Sequence, residues 1–326
     1  MDSAQQRFLT LAERLSHQVI GQPQLIERLL IALLADGHLL VEGAPGLAKT
    51  RAIRQLGNHL QGSFHRVQFT PDLLPADLTG TEVFRPQDGS FVFHQGPLFH
   101  NLILADEINR APAKVQSALL EAMAERQITV GQTSYQLNDP FLVMATQNPI
   151  EQEGTYPLPE AQLDRFLLHV YIDYPAADAE RHILQLARNE ARAESNGSAE
   201  EISPFPPISG DELRQARREV LDLYLADNLQ EYLLQLILAT RNPAPWGEEL
   251  VGWINYGASP RATIALDRCA RARAWLVGRD YVTPEDIQQL AFDVLRHRLL
   301  LSYTAEAEGV TANRVISELI SRVPVP

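Results

Sequence analysis

The feature that most constrains the fold is a glycine-containing segment that joins an apolar strand pattern to a helical one. An apolar run at 38–41 precedes the segment, and helical spacing over 49–60 follows it. In this context the backbone amides of a loop, together with the positive end of the next helix, surround a phosphate group. The sequence therefore predicts an α/β fold with a phosphate-binding loop formed by Gly43, Ala44, Pro45, Gly46, Leu47, Ala48, Lys49 and Thr50.

Two side chains of this loop are expected to contact ATP and its Mg²⁺ ion. Lys49 would reach the β- and γ-phosphates, and the hydroxyl of Thr50 would coordinate the metal. Ala48 replaces the last glycine of the usual pattern. The replacement matters only where the backbone is left-handed, and the entrance to a helix does not require that conformation. Alanine is therefore expected to fit, and a chance loop of similar composition is the alternative for the whole segment.

An apolar strand that ends in two acids forms the second motif. The run 102–105 leads into Asp106 and Glu107, about as far downstream as a Walker B strand is expected. Asp106 would bind the hydration shell of Mg²⁺, and Glu107 would orient and activate the attacking water. Acids also mark solvated strand ends, which is the alternative for this pair alone. Its occurrence together with Lys49 favours the catalytic interpretation.

Apolar strand patterns alternate with helical patterns through the first half of the chain. Such alternation predicts a parallel sheet covered by helices on both faces. The segments 81–94 and 127–137 interrupt it and are expected to form hairpins that turn at Gly89 and near Gly131. Strands are expected at 38–41, 64–69, 101–105, 141–146 and 167–172, and helices at 22–35, 49–60 and 112–125.

The second half of the chain is expected to be almost wholly helical. Residues 193–210 are rich in Ser, Glu, Pro and Gly, which predicts an irregular connection. Thr283 and Pro284, followed by two acids, mark a helix start. The length of 326 residues favours a main domain plus a smaller one. Helical spacing predicts helices at 210–222, 229–239, 262–276, 283–300 and 312–320.

Charge and cysteine content limit the classes of partner and compartment. The net charge of −13 would repel a nucleic-acid backbone or an anionic membrane, which favours protein partners. Cys269 is the only cysteine, so an internal disulfide is excluded and a reducing compartment is favoured. The sequence shows neither a signal-peptide pattern nor an apolar run near the roughly 18 to 20 residues of a membrane span. We therefore expect a soluble cytoplasmic protein.

Several motifs resemble those of MoxR-type AAA+ ATPases, and the resemblance extends over almost the whole chain. Besides the loop and the acidic motif, they lie at 19–22, 73–80, 145–149, 160–166 and 257–262. The resemblance implies an AAA+ nucleotide-binding α/β domain of the P-loop NTPase class at 1–175, with hairpin insertions at about 73–99 and 127–137. It also implies a C-terminal all-α lid domain at 176–326, which would contain the irregular linker 193–210.

The resemblance implies roles for three polar residues that local patterns leave ambiguous. Asn148 would match sensor 1 and position the lytic water or touch the γ-phosphate, whereas Asn-Pro alone is also a common turn. Arg165 would match the arginine finger that reaches a neighbouring subunit's nucleotide, and its local alternative is an ion pair with Asp164 or Glu160. Arg261 would match sensor 2 and contact the γ-phosphate of its own subunit, although the sequence alone does not distinguish it from other arginines.

The resemblance also implies a base-binding site, a reaction and partners. Val19, Ile20 and Gly21 would surround adenine, whereas a loop with a buried aliphatic pair is the simpler interpretation. The implied function is Mg²⁺-dependent ATP hydrolysis by a ring-forming homo-oligomer, a hexamer, that remodels or activates a protein client. The client could be a metal-site protein or one with a von Willebrand factor A (VWA) domain. The alternatives are a DNA-dependent AAA+ motor or helicase loader, which the acidic charge disfavours, and a nucleotide-gated scaffold with incidental hydrolysis.

Overall fold

The computed structural model describes residues 3–149, 154–196 and 205–325. Its strands are β1 (Leu39–Glu42), β2 (Phe64–Gln68), β3 (Gly80–Arg85), β4 (Ser90–Gln95), β5 (Leu102–Asp106), β6 (Gln127–Val130), β7 (Thr133–Gln136), β8 (Leu142–Gln147), β9 (Leu168–Tyr171), β10 (Ile254–Tyr256) and β11 (Leu300–Leu301). Its α-helices are α1 (Ala4–Gln18), α2 (Pro23–Leu34), α3 (Lys49–Asn58), α4 (Pro75–Thr79), α5 (Ala113–Glu125), α6 (Glu160–Leu163), α7 (Ala177–Asn196), α8 (Gly210–Asp222), α9 (Asp227–Arg241), α10 (Glu248–Trp253), α11 (Pro260–Leu276), α12 (Pro284–Leu295), α13 (Tyr303–Ala307) and α14 (Ala312–Arg322).

The central element is a five-stranded sheet in the order β2-β5-β8-β1-β9. Every neighbouring pair in it is parallel, which confirms the predicted parallel sheet. Each strand lies within one or two residues of its expected position. Because the strands are parallel, the residues that follow β1, β5 and β8 lie along one edge of the sheet.

Two apolar cores cover the two faces of this sheet. Leu39 and Val41 of β1 belong to one core and Leu40 to the other, as the alternation of side chains along a strand requires. The first core continues into the C-terminal helices, where it includes Leu266 of α11 and Ile287 of α12. The sheet and the C-terminal helices therefore pack on shared apolar side chains.

Two hairpins, β3–β4 and β6–β7, form separate two-stranded sheets. Both turns use glycine in the left-handed region, with φ of 69° at Gly89 and 61° at Gly131. The hairpins contact one another because the rings of Phe93 and Tyr135 stack with their centroids 4.3 Å apart. They form one aromatic unit that packs against the second apolar core.

The predicted helix at 283–300 starts as expected but ends too late. Pro284 is the first helical residue, and Thr283 and Asp286 form a capping box. The helix α12 ends at Leu295, and the chain then turns so that Arg298 donates to the carbonyl of Phe166. Packing against the sheet domain overrides the helical spacing of the sequence.

The predicted irregular connection at 193–210 is also shorter than expected. Helix α7 extends to Asn196, so residues 193–196 are helical, and α8 begins at Gly210. Residues 197–204 of the connection lie outside the described part of the chain. The long helices α1 and α7 and the short helices α4, α6, α10 and α13 are additions to the predicted set. Within the described ranges, no helix combines the length and apolarity needed to cross a bilayer.

Candidate active site

The phosphate-binding loop lies between β1 and α3, as its sequence context predicts. Gly46 has a φ of 83°, and a Cβ atom there would meet no atom within 4 Å. The positive φ favours glycine at this position, and the space around it is open. The Nζ atom of Lys49 donates to the carbonyl of Gly43 at 2.6 Å, which keeps the ammonium against the loop. Burial lowers the pKa of Lys49, and the nearby carboxylates of Asp106 and Glu107 oppose this shift.

The expectation for Ala48 is wrong. Its backbone is left-handed, with φ of 60° and ψ of 17°, and it is the N-cap residue of α3. The chain therefore enters the helix through the conformation that favours glycine, which costs a residue with a Cβ roughly 1–2 kcal/mol. A left-handed N-cap is not required for a helix in general, so the residue type alone did not indicate it.

The two acids are fixed by a threonine of the neighbouring strand. Asp106 ends β5, and Glu107 directly after it is left-handed, with φ of 56°. The hydroxyl of Thr146 donates to Oδ1 of Asp106 at 2.6 Å and accepts the N–H of Glu107 at 2.9 Å. Thr146 is buried in β8, so it sets the orientation of the Asp106 carboxylate and of the backbone at Glu107.

Two polar side chains of β2 complete the acidic cluster. Nη2 of Arg66 lies 2.6 Å from Oδ2 of Asp106, and Nε2 of Gln68 donates to Oε2 of Glu107 at 2.7 Å. Neither residue was predicted from the sequence. The available signal was the strand register, because β2 pairs with β5 and places Gln68 opposite Asp106.

One cleft brings together most of the predicted catalytic residues. It is lined by Lys49, Thr50, Asp106, Glu107 and Asn148, together with Pro45, Gly46, Leu47, Ala48, Arg51, Arg66, Gln68 and Thr146. Asn148 is buried just beyond the end of β8. The convergence follows from the parallel topology, which places the loop, the acids and the amide at the carboxyl ends of β1, β5 and β8.

The donors in this cleft fit Mg²⁺ bound with a nucleotide. Thr50 and Asp106 supply a hydroxyl and a carboxylate, the hard oxygen ligands that Mg²⁺ prefers. The described residues contain no group of three or more His, Cys, Asp or Glu side chains that could bind a metal alone. A site with one or two protein oxygens suits a metal that is otherwise coordinated by phosphates and water.

A second, more apolar cavity adjoins the phosphate loop. Gly46, Leu47 and Ala48 line both cavities, and Ile20, Ile183 and Leu186 contribute aliphatic surface to the second one, as expected for a base-binding site. The structure does not bring Val19 to this cavity, because its side chain is buried in the core. Gly21 has a φ of 82°, and its Cα packs against Pro175 closely enough that a Cβ would lie 2.7 Å from that ring. Of the three predicted adenine-contacting residues, Ile20 therefore fits best.

Arg165 and Arg261 lie in a different cavity, at the opposite end of the sheet. They share it with residues 35–38, which directly precede β1, whereas the phosphate loop follows β1. Four residues of strand separate these ends by about 13 Å. Arg165 donates to the carbonyl of Leu120 at 2.6 Å instead of forming the ion pair considered from sequence.

Arg261 therefore lies away from the phosphate loop of its own subunit, which does not favour the expected contact with that subunit's nucleotide. The start of α11 is fixed to Asp164 at the amino end of β9, through Ser259 Oγ at 2.9 Å and Arg261 Nη1 at 3.9 Å. Asp164 in turn pairs with the buried Arg298. These contacts place α11 away from Lys49, and they could not be inferred from spacing. The parallel sheet, the phosphate loop, the paired acids and the C-terminal helical unit together define a P-loop NTPase of the AAA+ class.

Comparisons with known proteins identify the family. Residues 38–168 match the profile of the "ATPase family associated with various cellular activities (AAA)", and residues 253–319 match that of the AAA lid domain. The chain is 43% identical to Chaperone MoxR1 of Mycobacterium tuberculosis over 309 residues, which cover 94% of this chain and 79% of that protein. It is 34% identical to Protein MoxR of Paracoccus denitrificans over an alignment of 336 residues, gaps included, which covers 98% of this chain and 96% of that protein. A crystal structure of a candidate ATPase from Cytophaga hutchinsonii has a TM-score of 0.88 and 43% identity, over 99% of this chain and 96% of that one. The chain belongs to the MoxR-type AAA+ ATPases, which confirms the resemblance.

Proposed function

We propose that this protein hydrolyses ATP in the cleft between the phosphate loop and the two acids. The observation that carries the proposal is the convergence of Lys49, Thr50, Asp106, Glu107 and Asn148 on that cleft. Bound Mg²⁺ would supply charge neutralisation on the phosphates. Lys49 would bind the β- and γ-phosphates, and Thr50 and Asp106 would hold the metal and its water shell.

Glu107 acts as the base that orients and deprotonates the attacking water. Its carboxylate lies in the cleft, where it accepts a hydrogen bond from Gln68 and forms an ion pair with Arg110. Both contacts are made to Oε2, so the carboxylate is held in place through one of its two oxygens. Asn148, buried beside the acids, orients the water or the γ-phosphate.

The active form is a ring in which each nucleotide site is completed by the neighbouring subunit. Arg165 and Arg261 share one cavity at the amino end of the sheet, opposite the subunit's own phosphate loop. Head-to-tail packing around a closed ring would bring this cavity against the next subunit's nucleotide. Both arginines then act in trans, and an arginine in this position contributes about 10³ to 10⁵ in rate. We propose a hexamer.

A mixing experiment tests whether Arg165 and Arg261 act in trans. Glu107→Gln subunits keep both arginines, and Arg165→Ala or Arg261→Ala subunits keep the acids. In a 1:1 random mixture about a quarter of the interfaces combine intact acids with intact arginines, so about a quarter of wild-type activity should return for either arginine variant. Recovery with Arg165→Ala but not with Arg261→Ala would show that Arg261 acts within its own subunit. No recovery in either mixture, with rings assembled, would contradict shared sites.

The work of hydrolysis is applied to a protein client. The relatives include one named as a chaperone, and the β3–β4 hairpin exposes an aromatic pair, Phe84 and Phe91, at 52% and 65% of their surface. Exposed aromatic side chains on a hairpin outside the central sheet suit a protein contact, whereas the acidic chain disfavours DNA. A VWA-domain or metal-site protein is the proposed type of client.

A pull-down with the Glu107→Gln chain as bait tests the client proposal. ATP should increase recovery of the client, because the variant binds nucleotide and does not release it by turnover. A matched bait with Phe84 and Phe91 both replaced by Ser should lose the client and keep ATP binding. Equal recovery by both baits would refute the role of the hairpin, and ATPase stimulation by DNA would favour the motor alternative.

A further inference from the structure

An arginine on the edge strand β2 covers one oxygen of the acid that is proposed to bind the metal. Arg66 donates to Oδ2 of Asp106 through both Nη2, at 2.6 Å, and Nε, at 3.1 Å. The other oxygen, Oδ1, accepts the hydroxyl of Thr146. Both oxygens of Asp106 are therefore engaged by protein donors, and the two N–H groups of Arg66 occupy the two lone pairs of Oδ2.

The two partners of Asp106 differ in how easily they can leave. Thr146 is buried in the central strand β8 and also accepts the N–H of Glu107, so moving it would break two hydrogen bonds. The Arg66 side chain is 49% exposed and lines the cleft. A hydrated metal at Asp106 needs an oxygen that can accept a hydrogen bond from its water shell, and Oδ2 is the oxygen whose donor can move away.

Arg66 also has a second partner that limits the movement required. Its Nη2 atom donates to Oε1 of Gln68 at 3.1 Å, in addition to its contact with Asp106. Gln68 follows Arg66 by two residues on the same strand, so both side chains lie on one face of β2. When the guanidinium leaves Oδ2, it keeps this amide as an acceptor and remains in the cleft, where it adds positive charge near the phosphates.

We infer that Arg66 is a positioning residue that competes with the hydrated metal for Oδ2 of Asp106. The inference rests on the proposed function, in which the cleft binds Mg²⁺ with a nucleotide. Without the metal, Arg66 fixes the orientation of the Asp106 carboxylate; with the metal bound, it moves away from Oδ2 of Asp106. The charge of the acid is thereby balanced both with and without the metal, at the cost of a weaker apparent affinity for the metal.

A metal titration tests this competition without relying on turnover. Binding of Mn²⁺ to the full-length protein saturated with ADP is followed by electron paramagnetic resonance. Arg66→Ala should lower the half-saturating Mn²⁺ concentration roughly two- to fivefold, the range expected from the energy of a partly exposed ion pair. An unchanged or higher concentration would overturn the inference.

Arg110→Ala is the matched control. Nε of Arg110 lies 3.1 Å from Oε2 of Glu107, and its side chain is exposed to a similar degree, but no ion pair with Asp106 is found for it in the described part of the chain. Arg110→Ala should leave the half-saturating Mn²⁺ concentration equal to that of the wild-type protein within experimental error. A shift equal to that of Arg66→Ala would show that the loss of any nearby positive charge has this effect, and would overturn the inference. Failure of the wild-type protein to bind ADP and Mn²⁺ would instead refute the proposed function. Thermal unfolding midpoints confirm that the variants compared are folded.

Discussion

Removing the carboxylate of Asp164 should destabilise the protein strongly, because it leaves a buried arginine without its counter-charge. The Arg298 side chain is only 3% exposed, and its Nε atom lies 2.7 Å from Oδ1 of Asp164. Its other donors contact backbone carbonyls, including that of Phe166 at 2.6 Å. Those carbonyls satisfy hydrogen bonds but carry no net charge. Breaking a buried pair by removing one partner costs about 3–5 kcal/mol, so Asp164→Ala should lose about that much.

The assay is the free energy of unfolding from urea titrations, compared across three variants. Asp164→Asn keeps an acceptor for Arg298 and removes only the charge, so it should lose less than Asp164→Ala. The control is Asp178→Ala, because Asp178 pairs with Arg181 on the surface of α7, where both side chains are at least 72% exposed. It should change stability by less than about 1 kcal/mol. Equal effects of Asp164→Ala and Asp178→Ala would refute the reasoning.

Three further outcomes are expected. Burial lowers the pKa of His38 from its ordinary value of 6.5 to about 3. Below pH 6.5 the unfolded chain therefore binds a proton that the folded chain does not, and the free energy of unfolding should fall by about 2 kcal/mol between pH 7 and pH 5. His38→Gln should reduce that loss. An identical pH dependence in the variant would contradict the buried neutral imidazole. Burial raises the pKa of Cys269 to about 12, so iodoacetamide at pH 8 should label it only in denatured protein, and stoichiometric labelling of the native protein would argue against its burial. Gly46→Ala should destabilise the protein by about 1 kcal/mol through backbone strain alone, since no atom lies near the added Cβ, and unchanged stability would count against the positive φ.

The sheet and the neighbourhood of the phosphate loop could be predicted because their signals are local. Apolar runs of strand length fix the strands, and parallel pairing then places whatever follows them along one edge. Lys49 and Asp106 therefore lie in one cleft as a consequence of topology, although 57 positions separate them in the sequence. Their chemical roles stay predictions until they are measured.

The features that sequence reasoning missed depend on contacts between distant segments. The position of Arg261 follows from the attachment of α11 to Asp164, and the early end of α12 follows from the packing of Arg298 in the same region. Spacing along one helix contains no information about either contact. The left-handed backbone of Ala48 depends on how the loop must enter α3, which its residue type does not indicate.

Arg66 and Gln68 were missed for a different reason. On the edge strand β2, alternating polar residues look like an ordinary solvated face. Their importance follows only from the register that sets them beside the ends of β5. A strand order predicted from sequence would have been needed to find them.

The most direct test of the proposed ATPase mechanism measures ATP binding and ATP turnover together, for the wild-type protein and for Glu107→Gln. Both are measured with saturating Mg²⁺ at protein concentrations that allow self-assembly. We expect equal binding by the two proteins and a loss of turnover in Glu107→Gln of at least about 100-fold, the contribution expected of a general base. Wild-type turnover by Glu107→Gln, or a wild-type protein that neither binds nor hydrolyses ATP, would contradict it.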